Sequence, residues 1–105
     1  MSHFVYVNGK LHVEQVPLDR IAAEFGTPVY VYSSASLTEN FLAYAKACRQ
    51  HGRGDQGALV CYSVKSNSNL AVLSLLGRLG SGFDIVSGGE LERVIAAGGN
   101  TRKVI

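Results

Sequence analysis

The chain has 105 residues, enough for one small domain. Hydrophobic residues make up 47% and charged residues 17%, which excludes a disordered or fibrous chain. A net charge of +2 from scattered basic residues excludes an electrostatic nucleic-acid surface, and no apolar run approaches the ~20 residues of a membrane span.

Met1-Ser2-His3-Phe4 carries neither the charged nor the apolar stretch of a secretory signal, so the expected location is the cytoplasm. Asn8-Gly9 separates two short apolar runs and signals a two-residue β-hairpin. Pro17-Leu18 opens a short helix over residues 19–25, and Gly26 stops it. Residues 29–32, Val-Tyr-Val-Tyr, read as a strand after Pro28. Ser34 or Ser36 is the expected cap of a helix through Leu37, Phe41, Tyr44 and Ala45 to the neighbourhood of Gln50. A glycine-rich turn follows over residues 51–57, then an apolar strand over residues 58–64. Asn69 starts a helix with a stripe of Leu70, Leu73 and Leu76, broken by Gly80 and Gly82. Residues 83–86 form the next strand, with Asp84 toward its middle. Ser87-Gly88-Gly89-Glu90 is a capping-box pattern opening a helix through Leu91, Val94 and Ile95, ended by Gly98-Gly99. Arg102-Lys103-Val104-Ile105 reads as the beginning of a further strand, so the expectation is an N-terminal piece of a larger α/β protein.

Strand, helix, strand, helix, strand with apolar strands argues for a parallel sheet covered by helices. An open doubly wound sheet and an eight-stranded barrel both satisfy this, and both place chemistry at the carboxyl ends of the strands. Lys65 and Ser87 fall at or just past such ends. Alternation puts Leu59, Cys61, Ser63 and Lys65 on one face, and Val60, Tyr62 and Val64 on the other.

Lys65 therefore stands as an amine at the mouth of an apolar strand. An apolar setting lowers a lysine pKa and frees the neutral amine for imine formation with an aldehyde. On the residues alone, a solvated strand-end lysine is the simpler reading. Asp84 is a carboxylate in an apolar strand; it either faces a polar centre near Lys65 or is hydrogen-bonded locally. Ser87 and Glu90 are explained as helix caps, although a helix N-terminus also attracts anions such as phosphate. Gly52-Arg53-Gly54-Asp55-Gln56-Gly57 spells Gly-x-Gly-x-x-Gly, but a helix precedes and a strand follows, the reverse of a dinucleotide site. Its Arg53-Gly54-Asp55 tripeptide is a coincidental match to an adhesion motif. Cys48 and Cys61 fit no metal spacing and read as ordinary buried thiols. His3, His12 and His51 have no partner at ligand or triad spacing.

Two blocks carry a resemblance: Tyr62-Ser63-Val64-Lys65-Ser66-Asn67, and Gly82-Phe83-Asp84-Ile85-Val86-Ser87-Gly88-Gly89-Glu90-Leu91. In order and separation they resemble the pyridoxal phosphate-dependent decarboxylases of alanine racemase-like barrel fold. The Ser-Gly-Gly-Glu-Leu form is similar to the diaminopimelate branch rather than the ornithine branch. Gly-Thr-Pro-Val-Tyr-Val-Tyr at residues 26–32 extends the resemblance, which covers almost the whole chain. Ser63 and Ser66 depart from the family's usual alanines.

The resemblance implies an α/β chain forming the N-terminal part of a (β/α)₈ TIM-type barrel. Residues 1–33 would belong or lead to a separate β-domain through the hairpin, and residues 34–105 would form the first βα units of a pyridoxal phosphate-binding barrel. Lys65 would be the catalytic cofactor lysine, with Asp84 and Ser63 as further cofactor-binding residues and no metal. Glu90 matches the family block without a catalytic step. The implied activity of the full-length protein is decarboxylation of meso-diaminopimelate to lysine in a cytoplasmic homodimer with a small amino-acid substrate. Ornithine, arginine or carboxynorspermidine decarboxylation, and a non-catalytic cofactor-binding barrel, stand as alternatives. The phosphate loop, ring-nitrogen partner and cysteine motif of the family would lie downstream, so the 105-residue chain is expected to be inactive by itself.

Overall fold

The computed structural model describes residues 2–52 and 57–105. Residues 53–56, which hold the centre of the glycine-rich string and the Arg53-Gly54-Asp55 tripeptide, lie outside the described residues. The chain forms two compact units, Met1–Glu39 and Asn40–Ile105.

In the first unit, β1 (Phe4–Val7) pairs antiparallel with β2 (Lys10–Val13), Val7 opposite Lys10. That register leaves Asn8 and Gly9 as the loop. Both take positive φ, 49° and 76°, as a type I′ hairpin turn demands. A third strand, β3 (Val16–Pro17), pairs with β2 and is too short to show in the sequence pattern. The connecting residue Glu14 takes φ 53°, a left-handed conformation that costs a non-glycine residue roughly 1–2 kcal/mol. Its carboxylate offsets this by accepting from the Ser33 hydroxyl and the Ala35 N–H, both at 2.8 Å, and from the Ser34 hydroxyl at 3.3 Å. The Ala35 N–H first, and the Ser33 hydroxyl next, hold the Glu14 carboxyl below its ordinary value.

Helix α1 (Leu18–Phe25) starts after Pro17 and stops at Gly26, whose φ of 79° suits glycine. Residues 29–32 are not a strand. They pair with no described strand, and Tyr30 is 89% exposed. Their β-propensity favours extended backbone, but a strand also needs a ladder partner. Helix α2 (Ser34–His51) follows. Its cap is neither Ser34 nor Ser36: the buried Ser33 hydroxyl accepts from the Ser36 N–H at 3.0 Å.

The second unit is α/β. Strand β4 (Cys61–Ser63), helix α3 (Leu70–Arg78), strand β5 (Gly82–Asp84) and helix α4 (Gly88–Ala96) follow one another. The strands are parallel, with Cys61 opposite Gly82, Tyr62 opposite Phe83 and Ser63 opposite Asp84. Phe83 makes a further parallel bridge to Val104, so the expected third strand is present as a single bridge. Its bonds run from the Ile105 N–H to Phe83 O and from the Ile85 N–H to Ile105 O, each 3.0 Å. The strand expected over residues 58–64 pairs only over Cys61–Ser63, and a 3₁₀ turn, Val64–Ser66, ends it.

Val64, Leu73, Phe83 and Val94 form a wholly buried core, with Tyr62, Ile85, Ala97 and Val104 packed around it. Leu73 and Leu76 of the predicted stripe are buried; Leu70, at the helix start, is exposed. A Cβ on Gly82 would lie 2.7 Å from both Cys61 Sγ and Lys103 O, so only glycine fits where β5 passes between its neighbours. Cys48 and Cys61 are free and half-buried rather than fully buried. Among the described residues, no helix is long and apolar enough to cross a membrane.

Candidate active site

The carboxyl ends of β4 and β5 carry the candidate site. Val64, immediately before Lys65, is wholly buried, and so is Phe83, immediately before Asp84. Each polar residue therefore emerges directly from an apolar anchor. The parallel register sets Ser63 opposite Asp84, and Lys65 follows two residues past Ser63.

Lys65 is exposed and lies in the 3₁₀ turn just past the end of the strand rather than on its face. The turn ends the two-residue alternation after Ser63, so Lys65 is no longer constrained to the face of Cys61 and Ser63. Its amine makes no hydrogen bond or ion pair among the described residues.

Asp84 closes β5 rather than occupying the middle of the expected strand, because the ladder with β4 stops there. It is half-buried, and its carboxylate has no side-chain partner among the described residues. Ser63 is likewise half-buried with an unengaged hydroxyl among the described residues.

The backbone around Lys65 is held from several directions. Tyr62 donates its hydroxyl to Asn67 O at 3.0 Å, spanning the turn from its start to its exit. Asn67 Oδ1 accepts from the Asn69 N–H at 3.0 Å, and Asn69 Oδ1 caps α3 by accepting from the Ala71 N–H at 2.9 Å. Arg93 of α4 donates to Ser68 O at 3.2 Å. These ties join residues that no local sequence signal pairs, apart from the Asn69 cap.

Ser87 caps α4 as the sequence indicates, its hydroxyl accepting from the Glu90 N–H at 3.2 Å. The return bond is displaced by one residue: Glu90 Oε2 accepts from the Val86 N–H at 2.8 Å. Glu90 is thus occupied in fixing the chain between Asp84 and α4.

Residues 34–105 match the sequence profile of the pyridoxal-binding domain of pyridoxal-dependent decarboxylases. The chain belongs to this family. Along its whole length it is 55% identical to diaminopimelate decarboxylase of Vibrio cholerae and 49% identical to that of Haemophilus influenzae. It spans 24% of the length of each of these curated relatives. A crystal structure of diaminopimelate decarboxylase from M. jannaschii is similar over 97% of this chain and 24% of that one, with 32% identity and a TM-score of 0.88. The same enzyme in complex with L-lysine matches 99% of this chain and 25% of that one, with 30% identity and a TM-score of 0.86.

The family's cofactor is pyridoxal phosphate. The strand ends suit it chemically. Lys65 offers a primary amine for an aldehyde, while Ser63 and Asp84 offer a hydroxyl and a carboxylate that the described residues leave unpaired.

Proposed function

We propose that the full-length protein is a carboxy-lyase that converts meso-diaminopimelate to lysine with pyridoxal phosphate. The observation that carries the reading is Lys65: an unengaged amine on an anchored turn at the carboxyl end of a parallel strand, within the stretch matched to the pyridoxal-binding domain. Lys65 holds the cofactor covalently through its amine. Asp84 places a negative charge at the neighbouring strand end, complementary to a protonated amine. Ser63 adds a hydroxyl donor where the family usually has an alanine. When bound, pyridoxal phosphate supplies an electron sink for the carbanion left by loss of carbon dioxide.

The same reading assigns residues 1–33 to a β-domain and residues 34–105 to the first βα units of an eight-stranded barrel, in a cytoplasmic homodimer. A second reading is decarboxylation of a related amino acid. A lysine decarboxylase from Selenomonas ruminantium resembles the chain at 26% identity and a TM-score of 0.67. The identities near 50% to diaminopimelate decarboxylases favour the first.

The test is borohydride reduction of the full-length protein with pyridoxal phosphate, followed by peptide mass mapping. The expected product is a reduced cofactor adduct on the peptide holding Lys65, lost in Lys65→Ala. An adduct elsewhere, or none, would sink the assignment. Carbon dioxide release measured with diaminopimelate, lysine, ornithine and arginine in parallel separates the two substrate readings.

A further inference from the structure

We infer that Tyr62 and Arg93 are positioning residues for Lys65, acting as a two-point clasp on the segment that leaves the lysine turn. This rests on the reading that Lys65 anchors the cofactor. Tyr62 lies in β4, packs against the buried core, and reaches over the turn to Asn67 O at 3.0 Å. The three residues of the turn, Val64, Lys65 and Ser66, are thereby spanned by the partly buried Tyr62 ring and its hydroxyl. Arg93 holds the next carbonyl, Ser68 O, at 3.2 Å from α4. Helix α4 is the one whose start Glu90 and Ser87 fix just after Asp84. The clasp therefore links the backbone behind Lys65 to the helix behind Asp84, and so references the amine to the carboxylate.

The arrangement separates a rigid base from a free arm. Val64 is immobilised in the core below, Asn67 and Ser68 are tied on the exit side, and the Lys65 amine itself is unengaged among the described residues. A group that must meet an aldehyde carbon along a defined approach gains from a fixed backbone, since misplacement by a fraction of an ångström lowers reaction rates. Neither Tyr62 nor Arg93 needs to touch the cofactor for this effect.

Tyr62→Phe removes only the hydroxyl, Arg93→Met removes the guanidinium's donors and charge together, and Arg93→Lys keeps a cation with N–H donors. The experiment uses the full-length apoprotein and pyridoxal phosphate. It follows the second-order rate of cofactor uptake by absorbance, the visible circular dichroism per bound cofactor, and thermal unfolding of the apoprotein. Loss of one neutral hydrogen bond predicts uptake slowed by about three- to tenfold in Tyr62→Phe. The induced dichroism per bound cofactor should fall, and Arg93→Lys should recover part of what Arg93→Met loses. Wild-type uptake rate and dichroism in both Tyr62→Phe and Arg93→Met would overturn the inference, even if their melting temperatures dropped. If the wild-type protein forms no adduct on Lys65, the cofactor assignment fails instead, and mass mapping tells the two failures apart.

Discussion

Val64 and Phe83 set the positions of the two residues that follow them. Both are wholly buried, so Lys65 and Asp84 inherit backbone positions fixed by the core of the second unit. Glu14 shows the same economy in the first unit. One carboxylate meets two hydroxyls and a backbone N–H at the start of α2, where the helix dipole also favours negative charge. Because those bonds lower its folded pKa, Glu14 binds protons less readily folded than unfolded. Its stabilising contribution is therefore present above its ordinary value of 4.5 and is lost as pH falls through the lower folded value. Acid unfolding of wild type and Glu14→Gln, followed by far-ultraviolet circular dichroism, should show wild type the more stable above pH 4.5. The gap should close in more acidic solution. A gap that is constant with pH would mean that the Glu14 charge contributes nothing.

Helix α4 depends on its start. Ser87 and Glu90 satisfy the Glu90 and Val86 N–H groups and fix the chain between Asp84 and the helix. Ser87→Ala should cost about 1 kcal/mol of unfolding free energy, read as a lower denaturant midpoint with an unchanged slope. An unchanged midpoint would show the cap to be dispensable. This helix was legible because Ser-x-x-Glu is a local signal, as Asn8-Gly9 was for the hairpin. The strand expected at residues 29–32 was misread because propensity carries no information about partners. Residues 58–64 carry no Gly, Pro, Asn or Asp, so no turn residue marked where the ladder ended and the 3₁₀ turn that holds the exposed Lys65 began. Asp84 was placed too early along its strand for the same reason. The lysine and the aspartate themselves were legible as polar residues in apolar runs. Tyr62 to Asn67 and Arg93 to Ser68 were not, because a hydrogen bond from a side chain to a distant carbonyl depends on the packed fold and leaves no periodicity in the chain.

At the scale of the molecule, the described parallel ladder consists of β4, β5 and the bridge to Val104. A (β/α)₈ barrel takes about 250 residues, and the diaminopimelate decarboxylases matched here are about four times as long as the chain, which spans 24% of them. Enzymes draw much of their rate from preorganised charge in a site that excludes water. In the 105-residue chain Lys65 is exposed, and so is Lys46. An exposed amine reacts with an aldehyde much as any other surface lysine does. The 105-residue polypeptide, incubated with pyridoxal phosphate and meso-diaminopimelate, should therefore release carbon dioxide no faster than the free cofactor. Borohydride trapping of the same mixture should label Lys46 alongside Lys65, whereas the full-length protein should be labelled at Lys65. Release above the free cofactor, or trapping confined to Lys65 in the short chain, would mean that the clasped turn and its neighbouring carboxylate suffice to distinguish this amine without an enclosing barrel.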